Sequence, residues 1–295
     1  MNNNIIVAKQ SKKVSKVRSF SFKKIGQVLL LVFLSVWAFI QLYPLIWLFL
    51  FSFKDNGEIF GGNIMGLPHH WLISNYITAL TSGNVMVYFF NSVLVTGLTI
   101  IISSVLIASA SYGIVRMKWK LSKPVLLIFL MGMMIPINAT LLPLFIILQK
   151  VKLFNTYFAL IIPYVAFALP MGIFILTSFM ISIPIELEEA ACIDGCNVYQ
   201  IFYRIIVPIV RPALATIAIF TYLSSWNELM FANTFINDDV KKTLTVGIMS
   251  LSGQYSTNWG PIGAGLVIAT VPTLIIYALL SEQVQQSLVA GAVKG

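Results

Sequence analysis

Residues 183–212 read IPIELEEAACIDGCNVYQIFYRIIVPIVRP and form the most polar island between two long apolar segments. They hold four of the chain's ten acidic residues, Glu186, Glu188, Glu189 and Asp194. Pro184 suits a first helical position, where a missing N–H leaves nothing unpaired, and three glutamates follow in the turn where the helix dipole favours negative charge. Gly195 is the residue type that ends helices in left-handed geometry. The stretch therefore predicts a helix over 184–194, about 11 residues and roughly 16 Å long. Leu187, Ala190, Ala191 and Asp194 fall at i, i+3, i+4 and i+7, which puts small side chains and one carboxylate on a face that another backbone can approach closely. So short a helix is marginal alone and requires a surface to dock against.

Composition outside the island sets the class. Of 295 residues 58% are hydrophobic and 10% charged, against the roughly 25% charged of soluble domains. This is a polytopic all-α membrane protein. Uncharged runs predict six spans, near 27–53, 86–115, 124–149, 157–181, 212–231 and 261–280. The third carries Pro136 and Pro143 and the fourth Pro163 and Pro170, so kinks are expected there. Small residues at Ser103, Ser104, Ala108, Ser109, Ala110, Ser111 and Gly113 suit close packing of the second. The chain divides into a basic tail, 1–26, expected to be mobile; a six-span domain, 27–281, that includes the island at 183–212; and a polar C-terminal tail, 282–295.

Charge decides sidedness. Fourteen of the 19 Lys and Arg fall in the N-terminal tail, the turn at 116–123, the island (Arg204, Arg211) and the C-terminus (Lys294). The loops on the other side carry Lys54, Lys150, Lys152, Lys241 and Lys242. The positive-inside rule places both termini and the island in the cytoplasm of a cell (plasma) membrane protein. The net charge of +9 thus follows the membrane and implies no nucleic-acid partner.

No catalytic constellation is present. The phosphate-cradling G-x-x-x-x-G-K-[ST] pattern is missing, Cys192 and Cys196 have no histidine or second pair nearby to make a metal site, and His69 and His70 are adjacent residues of a loop. The chain is not an enzyme, binds no cofactor or metal of its own, and must draw energy from a partner or an ion gradient. Gradient-driven carriers place ionisable residues deep in their spans. Glu228 is the one candidate, roughly 24 Å along the helix from Pro212 and so near the external interface. A structural hydrogen bond and a place on the solute pathway both fit it. Trp226 and Asn227 beside it suit a sugar, since hydroxyls want amide and carboxylate partners and pyranose faces lie on aromatics.

The motif Glu189-Ala190-Ala191, followed by Asp194-Gly195, Phe202, Ile205, Pro208 and Pro212, resembles the EAA loop of importer-type ABC transporter permeases. Trp226-Asn227-Glu228 and the end Gly291-Ala292-Val293-Lys294-Gly295 are similar to the maltose-type carbohydrate permeases, specifically the subunit with a short glycine-containing tail. The resemblance implies the importer permease fold, with the 184–194 helix as a coupling helix in a cleft of a separate ATP-hydrolysing subunit. Glu186, Glu189 and Asp194 would supply charged contacts, Ala190 and Ala191 the close approach, and Gly195 the turn. It further implies a homologous permease, two ATP-binding subunits that bind the ATP, an extracellular solute-binding protein, membrane lipid and a sugar as cargo. Trp226, Asn227 and Glu228 become possible pathway residues, the 232–260 loop a contact for the binding protein, and the 291–295 tail a contact for the ATPase. The alternative is a stand-alone secondary carrier.

Overall fold

Long uncharged runs with few interruptions can satisfy their backbone only as helices in a bilayer. The computed structural model describes the backbone of residues 3–117, 119–253 and 257–292, and the side chains of 24–117, 119–253 and 257–279. Val293, Lys294 and Gly295, Lys118, Tyr255 and the side chains of the basic residues before Lys24 lie outside the described residues. In chain order the helices are α1 (Asn3–Phe51), α2 (Asn56–Phe60), α3 (Ser74–Leu80), α4 (Val85–Arg116), α5 (Ser122–Gly132), α6 (Leu141–Lys150), α7 (Phe158–Ile181), α8 (Glu186–Ile193), α9 (Val198–Ile201), α10 (Val207–Ile209), α11 (Arg211–Trp226), α12 (Met230–Phe235), α13 (Leu244–Ser250) and α14 (Trp259–Ala292). Among the described residues there is no β-strand.

Four helices are long and apolar enough to cross a membrane unbroken: Lys24–Phe51 of α1, α4, α7 and Trp259–Leu279 of α14. Two bent helix pairs also pass the same test of length and composition, Ser122–Gly132 with Ile137–Lys150 at 91°, and Val198–Ile209 with Arg211–Trp226 at 72°. Counting each pair as one span gives six. The third span is thus more than kinked. Pro136 lacks the N–H that would bond to Gly132, its backbone is extended (ψ 118°), and a short 3-10 turn, Ile137–Thr140, restarts the helix. Helix α11 starts at Arg211, where the fifth span is expected to begin, and the 198–209 arm meets it at 72°. The basic segment expected as a mobile tail is helical from Asn3 and continuous with the first span, since only Gly26 interrupts its run of helix-tolerant residues. Likewise α14 carries the helix into the expected C-terminal tail, as far as Ala292.

The core is built on α4 and α7. Ser103, Ala108 and Ser111 of α4 are buried, and a Cβ on Gly172 of α7 would lie 2.2 Å from Ile107 Cδ1, so the two helices pack as closely as their backbones permit. At one end, Ile107, Tyr112, Leu176, Met180, Ile206 and Val210 join α4, α7 and the 198–213 arm in one apolar cluster. At the other, Val95, Leu160, Tyr164, Phe231 and Phe235 join them to α12. The spanning part of α1 stands outside the bundle until its final turns, where Phe51 meets Gly263 of α14.

Candidate functional site: the polar arm between α7 and α11

The polar arm begins where α7 ends at Ile181. The expected helix over 184–194 forms as α8, Glu186–Ile193, eight residues long, and Pro184 stands two positions before its first turn. Its C-terminus closes as predicted. Gly195 has φ +83°, its N–H bonds to Cys192 O at 3.0 Å and the Cys196 N–H to Ala191 O at 2.9 Å, the paired bonds of a Schellman motif. Asn197 then opens α9 with a capping box, its Oδ1 accepting from Gln200 N and its N–H donating to Gln200 Oε1. A π-helical turn, Phe202–Ile206, follows. Pro208 explains it, since a proline that cannot donate into the regular ladder is accommodated by widening the turn before it.

The inner face of α8 is fixed by a buried ion pair. Glu188 Oε1 lies 2.8 Å from Arg116 Nε, and the Tyr112 hydroxyl donates to Glu188 Oε2 at 3.2 Å. Arg116 Nη2 also donates to Met180 O at 3.1 Å and Ile183 O at 2.8 Å. One guanidinium therefore joins the C-terminal ends of α4 and α7 to α8. Ala191, one turn beyond Glu188, packs inward with it. Glu186, Leu187, Glu189, Ala190, Asp194 and Gly195 all face outward. Ile193 is 88% exposed and Tyr199 76%, with Tyr203 and Val198 beside them. The arm thus presents an uncovered apolar knob bordered by carboxylates, on a helix whose back is bolted to the bundle.

The second candidate group lies at the opposite end, at the break between α11 and α12. Trp226 is buried, stacked on Tyr222 and edge-on to Phe89, with Nε1 donating to Ala269 O at 3.1 Å. Asn227 is exposed, and its Nδ2 bonds back to Leu223 O. Glu228 accepts from the N–H groups of Phe231 (2.7 Å) and Ala232 (3.0 Å) and from the Tyr164 hydroxyl (2.5 Å). Its carboxylate caps the start of α12 and ties it to α7.

A family model described as "Binding-protein-dependent transport system inner membrane component" matches residues 100–291, a stretch that includes the whole arm. The chain belongs to this family. Along most of its length the permease is 38% identical, over 271 residues, to a "Probable ABC transporter permease protein YurM" of Bacillus subtilis (92% of this chain, 90% of that one). It is 34% identical to a "Diacetylchitobiose uptake system permease protein NgcG" of Streptomyces coelicolor (88% and 86%). Its fold matches a chain from the crystal structure of a bacterial ABC transporter involved in the import of the acidic polysaccharide alginate, with a TM-score of 0.78, 23% identity, and coverage of 88% of this chain and 96% of that chain.

Sequence reasoning counted Glu188 with its neighbours as a dipole-complementing acid and Arg116 as a topology charge, so it missed the pair. It also grouped Ala191 with Leu187 as a docking face, whereas the permease turns Glu188 and Ala191 inward. The available signal was their i, i+3 spacing, which marks a helix face as surely as the spacing chosen.

Proposed function

We propose that this permease forms half of the translocation pathway for a sugar and couples ATP hydrolysis by a partner subunit to alternating access. The carrying observation is the two-faced α8. Its back is pinned by Glu188 to Arg116, and its front offers Leu187 and Ile193, with Tyr199 of the following α9 also exposed among the described residues. A helix so short, held rigidly by one side, delivers a displacement to the bundle when its other side is gripped. Ile193 enters the partner cleft as the apolar anchor, Glu186, Glu189 and Asp194 supply charged contacts around it, Ala190 allows close approach, and Gly195 turns the chain away. ATP-driven closure changes the bundle only to the extent that the closed ATPase dimer binds this helix better in one state than in the other.

The assembly comprises a homologous permease, two ATP-binding subunits and an extracellular solute-binding protein, with both termini and the arm in the cytoplasm of a plasma membrane protein. The charge asymmetry supports that orientation, and relatives whose names include diacetylchitobiose uptake support a sugar cargo. Asn227 is the member of the 226–228 group whose side chain faces outward, and it is the pathway contact we assign. Replacing Ile193 with Glu tests the docking role. Loss of a central apolar anchor costs about 2 kcal/mol, or roughly 30-fold in affinity. The variant should insert normally yet lose co-purification with the ATP-binding subunit and lose uptake. Unchanged assembly and uptake would remove the proposal.

A further inference from the structure

Two covalent routes lead from α8 into the membrane helices, and each is jointed. Towards α7 the chain passes through residues 182–185, which are not helical. Towards α11 it turns at Gly195 with left-handed backbone, φ +83°, widens into the π-helical turn Phe202–Ile206 and meets α11 at 72°. The second route is held to the bundle by apolar side chains, with Ile201, Phe202, Ile206 and Val210 packed among residues of α4 and α7. Apolar contact has no preferred direction, so that surface can slide.

Arg116 bridges the first joint. Its side chain and that of Glu188 are only 10% and 11% exposed. Its Nη2 donates to Met180 O in the last turn of α7 and to Ile183 O within the linker, and its Nε stands 2.8 Å from Glu188 Oε1 in the first turn of α8. Arg116 is itself the last residue of α4. The charges suit the helix ends they occupy, since the guanidinium sits where α4 and α7 finish in carbonyls and the carboxylate where α8 begins. A planar fork engaged with three acceptors resists rotation as well as separation, which a single ammonium does not. Ile107 of α4 fills the space over Gly172 of α7, so these two helices follow the clasp together. About 24 Å along α7 from Met180, the Tyr164 hydroxyl holds Glu228 at the α11–α12 break.

We infer, on the docking role proposed for α8, that Arg116 is a positioning residue for coupling: the displacement of α8 enters the bundle through the Arg116–Glu188 contact into α4 and α7, and not along the chain through α9 into α11. Both side chains face away from the docking surface, so the pair passes on a movement that other residues of α8 receive.

The test is hydrogen exchange on the permease assembled with its ATP-binding subunits, with and without magnesium ATP and vanadate. In the parent, nucleotide should change exchange in α8 and also in α12, at the far end of α7. Arg116→Met/Glu188→Met removes the clasp without leaving a buried charge unpaired. It should keep the ATP-binding subunits and the change in α8, and lose the change in α12. Ile206→Ala thins the sliding surface of the arm and lowers stability, yet should keep both changes; a purely structural role for the pair predicts no such difference between the variants. A change in α12 that survives the double variant, or that is lost equally with Ile206→Ala, overturns the assignment of Arg116 alone. Loss of the ATP-binding subunits from the double variant makes the pair part of the docking surface and overturns it too. An assembled parent in which nucleotide changes neither helix overturns the coupling role of α8 and the assignment of Arg116 together.

Discussion

At the residue scale, Arg116 of α4 holds the arm, meeting one carboxylate and two carbonyls at once. A buried ion pair seldom adds net stability over a well-packed apolar pair, but removing one partner leaves a charge uncompensated and costs about 3–5 kcal/mol. Arg116→Met should therefore lower the thermal stability of the purified permease more than the double variant Arg116→Met/Glu188→Met does. A double variant at least as damaged as the single would mean that the pair matters for something other than charge compensation. Legibility at this scale was uneven. Gly195 was readable because left-handed backbone leaves few residue types to choose from. Glu188 was not, because three acids in one turn answer equally well to a dipole argument, and what distinguishes one of them is a partner on a distant helix. Of the face drawn through Leu187, Ala190, Ala191 and Asp194, three are exposed and only Ala191 turns inward.

At the scale of elements, the unbroken spans followed directly from apolar length, while the broken ones did not. Proline announces a disturbance, yet whether it produces a gentle kink or a 91° turn depends on whether neighbouring helices leave room for both arms. The α11–α12 break shows what stabilises such a corner. Glu228 receives three donors there, and Thr245 donates to its main-chain carbonyl. Its carboxylate caps α12 and braces it to α7. Glu228→Gln retains one acceptor oxygen and should lose about 1–2 kcal/mol of stability, while the pH profile of uptake keeps its shape. A displaced profile would return Glu228 to the pathway.

At the scale of the whole molecule, the expectation of six crossings rested on hydropathy and that of sidedness on charge, and only the count bears on the coordinates. The arm and the C-terminal end of α4 lie at one end of the bundle, and loops 52–84 and 227–253 at the other. Native Cys192 is exposed and should react with an impermeant thiol reagent only after cells are opened. Val240→Cys, also exposed, should react on intact cells. The opposite pattern would invert the orientation. That α1 stands apart from its own bundle was not legible, because an apolar helix reads alike whether its neighbours are its own chain, a second subunit or lipid.

One rod reaches both mouths of this bundle. Helix α4 runs without a break from Val85 to Arg116, a length of about 38 Å separating Asn91 from Arg116. At its near handle Arg116 grips the arm, and at its far handle Asn91 holds the carbonyls of Val240 and Lys242 while Ser92 receives the N–H of Leu244. A pull on residues 240–244 that shifted this beam would alter the seating of α8, and by thermodynamic reciprocity anything clasping α8 would then retune the grip available at 240–244.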